Sequence, residues 1–340
     1  MKFKGKNYEG SAWVNGFFAT NLVEITTDLA VLDSKGWWFV VLPFKGLPLC
    51  FKFANLEKTK FLEYPNWPGV SLESWTSSLD KATYIKTVDS IRTSISLGDV
   101  YQVNLCRVLS TDFDYMIPNA ILGLGSILQR SNPAPYSACI SVPGLVEISS
   151  ASPELFLKRK GNKIISSPIK GTAANALELK PKDRAENIMI VDLVRNDLGK
   201  VCDYGSVHVT DLCRLEQHPG LVHLVSDVEG NLKSGISWQE IIDASFPPGS
   251  VTGTPKEAAL ELIDALEPVE RSIYCGGLGW VDADRQQGEI NVAIRSFWIQ
   301  DSKLYFGTGG AITWDSTPEG EWEETELKAT RLINIAANNF

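Results

Sequence analysis

Positive charge is in deficit in this chain. Lys and Arg number 32 against 41 Asp and Glu, so the net charge is −9 over 340 residues. That excludes a global basic field for nucleic acid or for an anionic membrane. An anionic ligand would have to be held by a few placed cations or by a metal. Long apolar runs are also missing: the stretch from Trp37 to Phe44 is far shorter than the ~20 residues of a membrane helix. The first residues, Met1 to Lys6, carry charge with no apolar stretch behind them, so no secretory signal is expected. The six cysteines (Cys50, Cys106, Cys139, Cys202, Cys213, Cys275) form no C-x-x-C pair, which argues against a zinc site or a disulfide framework and for reduced thiols in the cytoplasm.

What is present divides the chain unevenly. Residues 1–78 hold five of the ten Trp, with short strand-like runs at Trp37–Leu42 and Leu49–Phe53 and a turn or linker at Asn66-Trp67-Pro68-Gly69. They form a short β-rich N-terminal portion; residues 79–340 form the remainder. There, Ile85, Val88, Ile91 and Ile95 recur at helical spacing before Gly98. Helices are also expected over Ala120–Leu128, Pro181–Leu198 and 318–337. Ser237 with Glu240, and Thr254-Pro255-Lys256-Glu257, read as capped helix starts, Pro255 suiting the first helical position. Strands are expected over Val100–Leu109, Tyr136–Val142, Leu145–Ser150, Glu154–Lys160, Lys163–Ser167, Ile273–Val281 and Glu289–Trp298. Strands come in neighbouring pairs and helices do not strictly alternate with them. The expected class is therefore α+β, antiparallel sheets packed with helices on the outside.

Several side chains could carry chemistry. Asp183 and Glu186 lie three apart on one expected helix, and Glu321 and Glu324 three apart on another, so each pair shares a face. If the faces meet, four carboxylates surround a cavity suited to Mg²⁺; if not, both are solvated surfaces, with Glu324 and Lys328 as an i,i+4 pair. Lys170, in Ser167-Pro168-Ile169-Lys170-Gly171-Thr172, sits in an expected tight turn at a strand end, as a nucleophile if its pKa is lowered or as a solvated lysine otherwise. Glu154 opens an apolar strand, where burial could raise its pKa; it could equally cap a turn. Of the three histidines, His208 reads as outward-facing, His218 precedes a Pro219-Gly220 turn, and His223 has an apolar setting, as a core residue or a catalyst. Gly249 to Lys256 is a glycine-containing loop entering a helix, with an anion-binding N-terminus but not phosphate-loop spacing. Gly307-Thr308-Gly309-Gly310 allows close backbone approach to a carboxylate, or is a hairpin turn. Arg295, a charge in an apolar strand, needs an anion and is a carboxylate-clamp candidate.

The order of these segments resembles the chorismate-utilising enzymes, which include anthranilate, aminodeoxychorismate, isochorismate and salicylate synthases. The matching stretches are Gly98 to Leu105, Ser152-Pro153-Glu154, PIKGT at 168–172, EN-IMIVDLVRNDLG at 186–199, HLVS at 223–226, GSVTGTPK at 249–256, YCGGLG at 274–279, and the glycine-and-acid run at 309–324. Residues 1–78 match less well. The resemblance implies Mg²⁺ on Glu186 and Glu324, with Asp183 and Glu321 outside them. It implies chorismate held by Arg295, Tyr274, Thr252, Lys328 and the amides near Gly171, Thr172 and Gly309. Gln102 stands where water-adding relatives carry a Lys, and Lys170 where anthranilate-forming relatives carry Ala. These two positions imply the aminodeoxychorismate branch: Lys170 attacks the 2-position, ammonia enters at the 4-position, Glu154 moves the proton and His223 acts near the leaving hydroxyl. The anthranilate-forming reaction and a non-catalytic chorismate-binding regulator are the alternatives. Pro248 and Ala311 depart from the family pattern, each standing where Gly is usual. No G-x-C-x-G nucleophile turn is present, so ammonia is expected from solution or from a separate glutamine amidotransferase subunit.

Overall fold

The computed structural model describes residues 2–339 except 4–7, 62, 66, 115, 174, 180 and 219–220. The expected turns at Asn66 and at Pro219-Gly220 lie partly or wholly outside the described residues. Six helices are described: α1 (Lys81–Leu97), α2 (Ala120–Ser131), α3 (Pro181–Val201), α4 (Trp238–Ser245), α5 (Lys256–Leu266) and α6 (Pro318–Ala336). Local signals account for several ends. Asp80 accepts from the Thr83 amide at the start of α1, and Gly98 closes it at φ 84°. Ser237 and Glu240 form a reciprocal capping box on α4. Thr254 does not cap α5. Pro255 is the flanking residue, with no side-chain cap, and the first helical position falls to Lys256.

The described strand pairings are all antiparallel and run as one ribbon. From one end it passes through His208–His218, Leu221–Asn231, Lys163–Ser167, Leu155–Lys160, Gln287–Val292 and Gly277–Asp282. It continues through Trp37–Leu42, Leu49–Lys58, Phe17–Thr26, Tyr8–Val14 and Ala138–Val142. It ends through Val146–Ser150, Ser296–Gln300, Lys303–Ile312 and Gln102–Asp112. The fold is α+β, as expected. Strands from the first 78 residues occupy the middle of this ribbon, joined on both sides to strands from beyond residue 79. Their consecutive residues Trp38, Phe39, Val40 and Val41, with Cys50 and Phe51, are all buried in the main core, so both faces are covered.

Helix α3 packs against Leu221–Asn231 and the short strand Ile169–Ala173, near one end of the ribbon, while α6 packs against Lys303–Ile312 near the other. The two acid-bearing helices thus mark the two ribbon ends.

Three local expectations change. The segment expected as one strand over Glu289–Trp298 is two, Gln287–Val292 and Ser296–Gln300, because the chain breaks at 293–295 and Arg295 takes a φ of 53°. The strand expected from Ile273 starts only at Gly277, after a turn. Gly307 to Gly310 is no hairpin but the interior of Lys303–Ile312, paired residue by residue with Gln102–Asp112.

Candidate active site

The two ribbon ends meet around a cavity of about 110 Å³. One end contributes Lys170, Gly171, Thr172 and His223; the other contributes Asn104 and the stretch from Phe306 to Gly309 together with Ala311. Helix α3 adds Lys182, Asp183 and Glu186, and α6 adds Glu324 and Lys328. Glu154, Ser250, Tyr274 and Arg295 are also part of the walls.

Lys170 owes its position to a β-bulge rather than to the expected turn. Ile169 pairs with Val225 and Thr172 with His223, so Lys170 and Gly171 together oppose the single residue Leu224. The bulge needs Gly171 at φ 84°, and a Cβ there would stand 2.8 Å from the Asp183 Cβ. Only glycine combines that backbone angle with so close an approach of α3. Lys170 is 8% exposed. Burial disfavours its ammonium form; Glu186 opposes this, Lys328 reinforces it, and the net pKa is lowered.

Glu154 is buried at the entrance of its strand. Its Oε1 accepts from the Ile169 amide at 3.3 Å. Burial pushes its carboxyl up to about 7, against the lowering effects of the Ser250 hydroxyl and Lys170. A carboxyl that titrates near neutrality can both give and take a proton.

His223 is held at both nitrogens. The Arg295 guanidinium, which can only donate, reaches Nε2 at 2.8 Å. Nε2 is therefore the acceptor, Nδ1 carries the proton, and that N–H donates to the Thr172 hydroxyl oxygen at 2.9 Å. Burial first, then the charges of Arg295, His218 and Lys328, depress the ring pKa to about 2. A neutral ring so engaged has no proton to give to a leaving group. In this arrangement His223 lines the cavity and links Arg295 to Thr172 through its two ring nitrogens.

The four acids do converge. Burial, augmented by Glu324 and Glu321, raises Glu186 to about 7, with Lys170 and Lys182 opposing. Burial and the Glu324 charge raise Glu321. Lys328 donates to Glu324 at 2.6 Å and to the Gly309 carbonyl at 2.9 Å, and this pairing leaves Glu324 lowered in spite of burial. Glu321 accepts from Ser316 through Oε1, while its buried Oε2 has no partner among the described residues. Gly310 leaves room beside these acids: a Cβ there would lie 3.1 Å from Glu321 Oε2 and 3.5 Å from Glu324 Oε1. Among the described residues no three His, Cys, Asp or Glu gather closely enough to enclose a metal ion by themselves.

Three expected site residues do not line the cavity. Glu321 sits behind Gly310 and Glu324. Thr252 is fully buried, its hydroxyl donating to the Pro248 carbonyl at 3.0 Å within the loop. Gln102 is also fully buried, with neither side-chain polar atom partnered among the described residues, two residues along the same strand face from the cavity-lining Asn104. Ala311 lies in an ordinary strand and needs no left-handed backbone. Among the polar lining residues, Asn104, Ser250 and Lys182 were not among the expected site residues. The signal for Lys182 was available, because it stands four residues before Glu186 on one face of α3.

The sequence model of chorismate binding enzymes matches residues 59–334. Anthranilate synthase component 1 1 of Haloarcula marismortui is 37% identical over 275 residues, 77% of this chain and 55% of that protein. Aminodeoxychorismate synthase component 1 of Bacillus subtilis is 35% identical over 295 residues, 82% of this chain and 62% of that protein. The chain thus spans a little over half the length of these curated relatives. Among solved structures, a putative 2,3-dihydroxybenzoate-specific isochorismate synthase of Bacillus anthracis superposes with a TM-score of 0.81 at 24% identity, covering 96% of both chains. That likeness concerns the fold. The match across most of the chain, and over the residues that meet at the cavity, makes this protein a member of the chorismate binding enzyme family.

Proposed function

We propose that the chain aminates chorismate at the 4-position, giving 4-amino-4-deoxychorismate, the precursor of para-aminobenzoate and folate. The observation that carries this reading is Lys170: a buried lysine with a lowered pKa, aimed by a bulge into the family's cavity.

Arg295 has guanidinium N–H groups beyond the one given to His223, and with the Thr172 hydroxyl it would hold ligand carboxylates. Neutral Lys170 attacks C2, both conjugated ring double bonds shift, and the 4-hydroxyl departs as water with a proton from Glu154. Glu154 then recovers a proton from the alkylated nitrogen. Ammonia adds at C4, both double bonds shift back, the C2–N bond breaks, and Lys170 leaves as the free amine with a proton brought by ammonia. The net change is chorismate plus ammonia to product plus water.

The donor set fits a hard divalent cation: oxygen ligands only, an unpartnered Glu321 Oε2 and a glycine-wide space beside it. Glu186 and Glu324 would hold Mg²⁺, with Asp183 and Glu321 behind them. Two protein carboxylates leave the rest of its shell to water and to the ligand's own oxygens. When bound, the ion supplies positive charge to a substrate carboxylate. Ammonia would come from solution or from a separate glutamine amidotransferase subunit, a reading supported by relatives named as component 1.

Incubation with chorismate, Mg²⁺ and an ammonium salt, followed by chromatography, tests the proposal. Wild type should give the 4-amino product, and Lys170→Ala should lose it by at least a hundredfold. The proposal is falsified if Lys170→Ala forms 4-amino-4-deoxychorismate at the wild-type rate. A second reading, direct attack of ammonia at C2 to give anthranilate, is favoured by the relatives of that name at similar identity. Anthranilate as the wild-type product would establish it in place of the first.

A further inference from the structure

Three lysines stand among Asp183, Glu186 and Glu324 of the cavity wall and the adjacent Glu321, and they are not equivalent. Lys170 is fixed by its bulge. Lys328 is fixed by its bonds to Glu324 and the Gly309 carbonyl. Lys182 has no such anchor. It projects from the first turn of α3, its side chain is 28% exposed, and its ion pair among the described residues is with Glu321, at 3.7 Å, too long for a hydrogen bond. Yet its charge interacts with Glu321, Glu186, Glu324 and Asp183 alike. It therefore fronts the same carboxylates whose donor set fits a divalent cation, next to the buried and unpartnered Glu321 Oε2.

We infer that Lys182 is a resident countercharge of the acid cluster, which a divalent cation displaces and which then pairs with a carboxylate of the incoming dianion. This rests on the metal reading given above. Like-charge repulsion supports it. Lys182 faces the carboxylates that would hold the divalent ion, so the two positive charges would compete for the same partners. Lys182 can move at least cost, since its long stem already reaches solvent and it gives up no short hydrogen bond. A dianionic ligand arriving at the rim offers the displaced ammonium a new partner. Cation and ligand would thereby bind cooperatively, each easing the departure of Lys182 from the acids.

Manganese(II) binding to the ligand-free protein, followed by electron paramagnetic resonance, tests this directly. Lys182→Gln should tighten Mn²⁺ binding about tenfold, as expected for one removed, partly screened like charge, and Lys182→Arg should stay near wild type. With saturating Mn²⁺, chorismate affinity measured by calorimetry should weaken several-fold in Lys182→Gln and be retained in Lys182→Arg. Glu186→Gln and Glu324→Gln separate the two levels of the argument. If they abolish Mn²⁺ binding while Lys182→Gln leaves it unchanged or weaker, the role of Lys182 is overturned and the metal site stands. If they leave Mn²⁺ binding at the wild-type level, the metal site falls and Lys182 with it.

Discussion

Glu154 shows how one buried side chain ties chemistry to stability. The folded protein keeps a proton on this carboxyl up to about pH 7, whereas the unfolded chain releases it near 4.5. The folded state binds more protons between these values, so the stability tied to this group is complete below the unfolded pKa and is lost as pH rises through 7. The full effect is on the order of 3 kcal/mol. Thermal melting of the metal-free protein should show the melting temperature falling between pH 5 and pH 8. Glu154→Gln should flatten that fall and raise the melting temperature at pH 8. A wild-type profile unchanged by the substitution would mean that Glu154 does not titrate in this range. The same residue should set the alkaline limb of turnover, because protonation of the leaving hydroxyl requires its acid form. His223 gives the contrasting case. Burial and then the adjacent Arg295 charge keep it neutral, so it should contribute no inflection near pH 6.

At the scale of the element, the bulge in Ile169–Ala173 is the feature on which Lys170 depends. Gly171→Ala places a methyl group at φ 84°, against Asp183 of α3, and should cost roughly 1–3 kcal/mol in stability. Turnover should fall much further than stability, because relaxing the clash moves Lys170 or α3. Ser237→Ala is the matched control: it removes the α4 cap at about 1 kcal/mol and lies outside the cavity, so turnover per folded molecule should be unchanged. Chemical denaturation and steady-state rates measure both. Elements with local chemistry were legible in the sequence: Gly98 ends α1, Ser237 and Glu240 start α4, and Gly161-Asn162 joins two strands. The break at Arg295 was not, because apolar residues run through it and only tertiary contact with His223 and the cavity gives the left-handed residue a reason to exist. The bulge was hidden for the same reason. Pro-Ile-Lys-Gly-Thr reads as a turn until the partner strand fixes the register.

For the whole molecule, the acid pairs could be found by spacing, but their meeting could not. It depends on a ribbon of strands whose ends lie far apart along the pairing order and close in space, and no local pattern encodes that closure. The first 78 residues matter here in a way their weak family resemblance conceals. The family match starts at residue 59, yet Trp37–Leu42 lies between Gly277–Asp282 and Leu49–Lys58, and Tyr8–Val14 pairs with Ala138–Val142. These strands connect the half of the ribbon carrying Lys170 to the half carrying Gly309. A chain beginning at residue 59 would expose both broken edges and lose the buried Trp38, Phe39, Val40, Val41 and Phe51. Each fully buried large apolar side chain contributes roughly 1.5–3 kcal/mol, so these five alone are comparable with the typical net stability of a domain. The fragment 59–340 should therefore fail to fold, showing no cooperative thermal transition by circular dichroism and no saturable chorismate binding. A cooperative melt and wild-type affinity from that fragment would show instead that the two halves close around the cavity without the strands between them.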